Sequence, residues 1–521
     1  MKHHLHKKSI LKNTVKVGGI TFISRILGII REALLAQYFG IGAVSDAFIA
    51  AFRIPNFLRH IFAEGAMSAS FIPAFVKSVK EDKMDEANGL MTLSFLFFQS
   101  IVLLLCGFVF LKTEWVVRFV APGFNAEQIH YAIPFMRVLF PFLLFISSSA
   151  LLAGALQSVN HFFVPAFGTP LWNMVYVATL LLCLWYDLPP LVVCSGVIFG
   201  AFIQFLLHLL VYFRLKFSFG KVTSGAKKAF KNVLTKFLPC LFGVSIVELN
   251  LLIGGQIASF LPKGSVTILH YGSRYMNIPL GMFAVALSSV LLPHFSRVVL
   301  YAPKRLSFYL LEVAKFVSWA IIPATFFLMF ISQPLFANLL LKGKATDEQL
   351  FQAGMVLMIY LSGLLFLCLN KILLSMFYAL KDTTATTIAA AISALVNIGG
   401  DLIGMYYFGA YGIAAANTIA GITMTIACLI FLKKRHGFLF YIKEYALFLG
   451  KYFLQLCLAS VIFVLSYQGL FFALAQTAWR DFFMYSYGYW CAVLPLGGLV
   501  MLLSFSTRHL FGLKIYFLAR E

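Results

Sequence analysis

Long apolar stretches alternate along this chain with short polar connectors. A helix needs about 20 apolar residues to cross a bilayer. On that scale the pattern predicts fourteen spans: 13–38, 43–76, 87–112, 129–158, 165–186, 189–214, 231–261, 265–299, 306–331, 350–378, 384–408, 411–434, 444–467 and 484–512. The connectors between them alternate in charge. One set is basic: the N-terminal tail, Lys77/Lys80/Lys83, the run from Arg214 to Lys236, Arg297/Lys304/Arg305, Lys381, Lys433/Lys434/Arg435 and the C-terminal tail. The other set is short or mixed: GIGA at 40–43, the loop holding Pro122-Gly123, YDLPP at 186–190 and LPKGS at 261–265. Basic connectors stay on the cytoplasmic side. The pattern therefore predicts an all-α, multi-pass membrane protein with both termini cytoplasmic, and an even number of spans agrees.

Composition removes the soluble alternatives. The chain is 521 residues long, 61% hydrophobic and 12% charged, with a mean hydropathy of +0.90. No stretch is left for a large soluble domain. A net charge of +22 in a soluble protein would point to nucleic acid. Here the basic residues sit in loops, where they set topology, and no nucleic-acid partner is expected. The eight cysteines all fall in apolar runs with no CxxC pair, so packing is expected rather than disulfides or a metal site. The N-terminal His3, His4 and His6 are read as part of a solvated basic tail, with no cleaved signal peptide. An enzyme acting on a polyprenyl lipid would want paired acids and usually a metal. No DDxxD, HExxH or Walker motif occurs, and no catalytic residue is expected.

A weak internal repeat divides the chain. Ala66–Phe75 (AMSASFIPAF) resembles Ala286–Phe295 (ALSSVLLPHF) at an offset of 220, and Ala155-Leu156 aligns with Ala379-Leu380 at 224. The second span thus corresponds to the eighth and the fourth to the tenth. The expected architecture is two six-helix lobes related by a pseudo-two-fold along the membrane normal, at 1–220 and 221–438. Two further helices follow at 439–521. Parallel repeats of this kind hold their cargo near the bilayer midplane.

The chemistry concentrates between Arg25 and Arg59. Arg25, Arg31, Arg53 and Arg59 are separated by apolar segments, with Asp46 among them. An ionised side chain at the bilayer centre costs at least ~2.5–3.5 kcal/mol, so such residues usually face a wet cavity. Arginine keeps its charge, and its planar fork suits phosphate and carboxylate. Asp46 and Arg53, seven apart, lie nearly on one helical face. Pro55 and Gly65 can expose backbone, which is tolerated where a cavity is lined. Snorkelling to the interface is the alternative for each arginine. Glu248, mid-span in GVSIVELNLLIGG, is a further intramembrane acid.

These motifs carry a family resemblance. SRILGIIREALLAQYFG at 24–40, SDAFIAAFRIPNFLRHIFAEGAMSASFIPAF at 45–75, APGF at 121–124 and LLPHFS at 291–296 resemble the MurJ (MviN) lipid II flippases of the MOP exporter superfamily. The resemblance implies fourteen helices and an alternating-access flippase in the bacterial inner membrane. The cargo would be lipid II, an undecaprenyl-diphosphate-linked disaccharide-pentapeptide needed for peptidoglycan synthesis. The partners implied are lipid II and membrane lipids. The chain would be a monomer associated with the cell-wall synthesis machinery. A MATE-like ion-coupled exporter, another polyprenyl-diphosphate oligosaccharide flippase and a membrane-embedded transferase are the competing readings.

Carried over by residue, the family's cavity pair is Ser24-Arg25 and its second first-span arginine is Arg31. Asp46 is the acid opening the second span. Arg53 and Arg59 flank the Pro-Asn motif, and Glu64 matches the FAEG glutamate. His60 stands where some members have an arginine. Arg274 is the eighth-span arginine, preceded by Ser273 where some members have an acid. No cofactor is implied beyond a sodium ion bound by some relatives. Asn397 and Asp401 match its eleventh-span ligands, and Asn417 falls at a twelfth-span threonine. The seventh-span acid of that site falls at Gly254, which has no side chain. Glu248 cannot substitute, because six residues turn a helix by about 240° at ~3.6 residues per turn.

Overall fold

The computed structural model describes residues 7–516 except 65, 341–343, 478 and 486–487. Side chains are described from 18 onward except at 63, 64, 66, 69, 242–247, 289, 339, 340, 481, 484 and 485. Among the described residues every element is helical. Each expected span is occupied. The first is Lys7–Phe39, the third Met84–Leu111, the fifth Phe163–Tyr186, the sixth Pro190–Arg214 and the seventh Ser224–Ala258. The ninth is Leu306–Phe330, followed by Thr383–Phe408, Ala410–His436, Ile442–Ala475 and Gly488–Thr507 as the eleventh to fourteenth.

The other four spans are broken. The second is Ala43–Arg59, a π-helical turn at His60–Glu64, and Ala66–Lys80. The eighth repeats that plan with Ser265–Pro279, a π-helical turn at Leu280–Val285, and Ala286–Tyr301. The fourth is Ala126–Leu139 with Phe142–Ser158, and the tenth is Asp347–Ser362 with Leu364–Ala379. Among the described residues ten helical runs are long and apolar enough to cross a membrane, and the tenth span, bent by 40°, makes an eleventh. The expected count of fourteen is thus not reached by apolarity alone. The first span carries Arg25, Arg31 and Glu32 close together, and the second carries Asp46, Arg53 and Arg59.

The repeat is written into the helix punctuation. Asn125 caps the fourth span with Gln128 reaching back, and Thr346 with Gln349 does the same for the tenth. Left-handed residues end corresponding helices in pairs: Asn160 and Lys381, Asp187 and Gly409, Lys216 and Gly437. With the two π-helical turns, these features recur at offsets of 220–222 residues. Aromatic ends recur too. Trp185 and Tyr186 stand exposed at the end of the fifth span, as Tyr407 and Phe408 do at the end of the eleventh. Such rings favour the membrane–water interface.

By contact the chain divides into two compact units, Met1–Thr267 and Ile268–Glu521. This is not the repeat boundary at 220. The seventh helix joins the first unit because its Val233 and Phe237 pack among Phe62, Phe71, Phe75, Leu90 and Phe98. In the second unit the last two helices are anchored to the ninth span. Phe448, Tyr452 and Leu456 pack with Leu513 and Ile515 against Phe316 and Trp319. A second cluster joins Ile331, Phe471, Tyr489 and Val493.

Candidate functional site

In the first unit, the second span positions Asp46 and Arg53 very differently. Asp46 sits in the first turn of its helix, fully buried. Its carboxylate accepts hydrogen bonds from the Gly264 amide at 2.6 Å, the Thr267 amide at 2.9 Å, the Thr267 hydroxyl at 2.6 Å and Gln128 Nε2 at 3.0 Å. A carboxylate facing the free amides of a helix start is favoured by both hydrogen bonding and the helix dipole. Asp46 therefore ties the second and fourth spans to the opening turn of the helix at Ser265. Lys263 and Glu127 form an exposed ion pair beside it.

Arg53, two turns on, has no such partners. Its Nη1 is buried and among the described residues has no hydrogen-bond acceptor. The guanidinium lies against the backbone of the seventh helix at Gly255, where a Cβ would fall 1.6 Å from Nη1. The missing side chain at Gly255 thus makes room for an arginine.

Arg31 is the reverse case. Its fork donates to Asn173 Oδ1 at 2.9 Å and to Glu32 Oε1 at 2.6 Å. Its Cζ stands 5.1 Å from the Trp172 ring and 5.4 Å from the Tyr176 ring. Asn173 also donates weakly to the Ser24 hydroxyl and carbonyl, at 3.4 and 3.5 Å. Ser24 is half-buried and Arg25 exposed.

At the end of the second helix, Arg59 Nε donates to Asn56 Oδ1 at 3.2 Å, and its Nη2 lies 3.2 Å from His60 Nε2. His60 Nδ1 is 4.0 Å from Glu248 Oε1. Glu248 of the seventh span is therefore brought to His60, a pairing the sequence did not reveal. The Glu64 side chain lies outside the described residues.

In the second unit Arg274 is exposed, and the neighbouring Ser273 accepts from Asn277 Nδ2 through its carbonyl at 2.8 Å and more weakly through its hydroxyl. Asn397 and Asp401 are both buried and brought together, with Asn397 Nδ2 3.3 Å from Asp401 Oδ1. Asn417 is half-buried on the adjacent helix with no hydrogen bond to either among the described residues. The set supplies one carboxylate and amide oxygens, which suit a hard cation. Among the described residues no group of three His, Cys, Asp or Glu side chains is arranged for a metal.

Sequence reasoning missed Glu32, Asn173, Gln128, Thr267 and Gly255. Of these, Asn173 shows in the sequence only as a single polar residue within an apolar run. It also missed Lys371, an exposed cation within the tenth span.

The family model described as lipid II flippase MurJ matches residues 35–488. A probable lipid II flippase MurJ from Vibrio cholerae serotype O1 is 31% identical over 438 residues, which cover 79% of this chain and 81% of that protein. A solved structure of lipid II flippase MurJ in an inward closed conformation is 27% identical, with a TM-score of 0.77 over 95% of this chain and 99% of that one. An inward-facing MATE multidrug transporter of the MOP superfamily has a TM-score of 0.69 at 12% identity, covering 79% of this chain and 94% of that one. That last likeness is one of fold alone.

Proposed function

The chain belongs to the MurJ lipid II flippase family, and we propose that it moves lipid II from the cytoplasmic to the periplasmic leaflet by alternating access, holding the headgroup through intramembrane arginines. The contrast between Arg31 and Arg53 carries the arginine part of this reading. Arg31 is satisfied inside the fold by Asn173, Glu32 and two aromatic rings. Arg53 keeps a buried nitrogen with no acceptor. A buried guanidinium nitrogen without an acceptor is unfavourable unless something anionic arrives. The diphosphate and the peptide carboxylates of lipid II are such groups, and arginine grips them bidentately. Arg25, Arg59 and Arg274 would grip the same oxygens, and Ser24, Asp46 and Glu64 are the other residues that the resemblance assigns to the cargo.

A drug–cation exporter is the second reading, favoured only by the shared fold. It would want free acids, whereas Asp46 is committed to four donors. The sequence has no ATP-binding motif, so the energy source is the membrane potential or an ion gradient. Each elementary charge moved through the field is worth ~2.3 kcal/mol per 100 mV. Asn397, Asp401 and Asn417 are the residues for a coupling sodium ion.

The test is complementation of a flippase-depleted strain, scored by growth and by lipid II exposed on the outer face. Arg25→Ala, Arg59→Ala and Arg274→Ala should each abolish both readouts while the protein accumulates in the membrane. Lysine at each position keeps the charge without the fork and should rescue in part. Normal growth of all three alanine variants would end the anionic-cargo reading.

A further inference from the structure

The second half of the tenth span, Leu364–Ala379, is enclosed by its own unit. It packs against helices of the eighth, ninth, eleventh and twelfth spans. Of its residues only Lys371 and Tyr378 are exposed, and Leu365, Phe366, Leu367, Leu369 and Leu374 are half-buried. Spacings of four, seven and eleven residues put Leu367, Lys371, Leu374 and Tyr378 on one stripe. Beside that stripe the Ser375 hydroxyl donates to its own helix at the Lys371 carbonyl and more weakly across to the Ser288 carbonyl.

Lys371 makes no ion pair or side-chain hydrogen bond among the described residues. The helix runs on for eight residues beyond it to Ala379, about 12 Å at ~1.5 Å per residue. That is a long way for a four-carbon stem to snorkel. An ammonium left in hydrocarbon at such depth is strongly unfavourable, and intramembrane cations of this kind face water. The neighbouring exposed group on the stripe, Tyr378, carries a hydroxyl that can donate to an anion.

We infer that the Leu367–Lys371–Leu374–Tyr378 stripe faces the aqueous path of the cargo, and that Lys371 binds anionic oxygens of the headgroup. The inference rests on the flippase reading and adds a cation to it that is independent of the arginine-rich segment. Diphosphate and peptide carboxylate share the required chemistry. Lysine binds either as a point charge rather than a fork.

Two measurements test it. In a variant lacking the eight native cysteines, Lys371→Cys should react in membranes with a charged thiosulfonate reagent, as a lipid-facing thiol would not. With purified protein, Lys371→Met should bind lipid II about tenfold more weakly, the scale of one charge-assisted contact. Lys371→Arg should stay close to the parent. Parallel titration with undecaprenyl diphosphate assigns the contact: an equal loss places Lys371 at the diphosphate, and an undiminished affinity places it at the peptide. An unreactive Lys371→Cys, or a Lys371→Met variant binding lipid II as the parent does, overturns the inference. Failure of the parent protein itself to bind lipid II would instead remove the flippase reading first.

Discussion

At the scale of single residues, like side chains in one segment do different work, and only partners distinguish them. The sequence displays Asp46 as an intramembrane acid, and the family resemblance puts it among the cargo-binding residues. The structure gives it four donors, three of them on Gly264 and Thr267, more than 200 residues away in sequence. Such long-range capping has no local signature, because Gly264 and Thr267 look like ordinary turn and helix-start residues. Arg31 and Arg53 were equally ambiguous as sequence. Asn173 and Gly255, which separate them, come from two other helices. The Asp46 network makes a direct prediction. Asp46→Asn keeps the volume but turns an amide donor toward groups that already donate. Hydrogen bonds to a buried charge are worth ~1.5–3 kcal/mol, so this variant should lower the thermal midpoint in detergent, followed by tryptophan fluorescence. Thr267→Val should give a smaller loss in the same direction. An unchanged midpoint in Asp46→Asn would mean that the network contributes nothing to holding the fold together.

At the scale of elements, the apolar pattern predicted a helix at each position where one is found, but only ten or eleven of the described helical runs qualify as spans by length and apolarity, and the breaks inside them did not show. Pro55, Pro73, Pro279 and Pro293 all lie within the second and eighth spans, yet the π-helical turns fall at 60–64 and 280–285. A π-turn widens the helix by one residue, an effect of packing that composition does not encode. Helix pairing is clearer in retrospect. The eleventh and twelfth helices meet at Gly404 and Gly412, where a Cβ on Gly412 would fall 2.0 Å from the Gly404 carbonyl oxygen. Small residues permit this approach, and packing is what holds membrane helices together. Gly404→Ala and Gly412→Ala should therefore each destabilise by at least the ~1–3 kcal/mol typical of overpacking, because backbone rather than a flexible side chain must yield. Gly399 sits on the same helix with nothing within 4 Å of its Cβ position. There alanine should be neutral, or stabilising by up to ~1 kcal/mol through helix propensity. Thermal unfolding of the three variants side by side decides it, and equal effects at 399 and 404 would show that the close crossing is not what limits stability.

At the scale of the whole molecule, the repeat was legible as a faint match of two ten-residue segments, and the structure extends it to caps, left-handed helix ends and aromatic rims. What the repeat could not supply is the way contacts divide the chain. The seventh helix opens the second repeat in sequence but packs with the first unit through Val233 and Phe237, since side-chain complementarity rather than repeat order decides where a helix docks. Orientation follows from a different physical cue, the distribution of charge. Lys77, Lys80 and Lys83 lie in or beside the turn after the second span. Lys216, Lys221, Lys227 and Lys228 lie around the connector before the seventh. The positive-inside rule expects such lysines on the cytoplasmic side. The opposite set of connectors, at 40–43 and 261–265, is nearly free of charge. Single cysteines introduced near residues 42 and 264, in a background lacking the native ones, should react with an impermeant thiol reagent added to intact cells. Cysteines near 82 and 224 should react only after the membrane is opened. Labelling at 224 from outside would invert the orientation. Export from the cytoplasmic leaflet would then begin at the face that carries the uncharged connectors, and the basic loops would no longer mark the side on which the cargo is taken up.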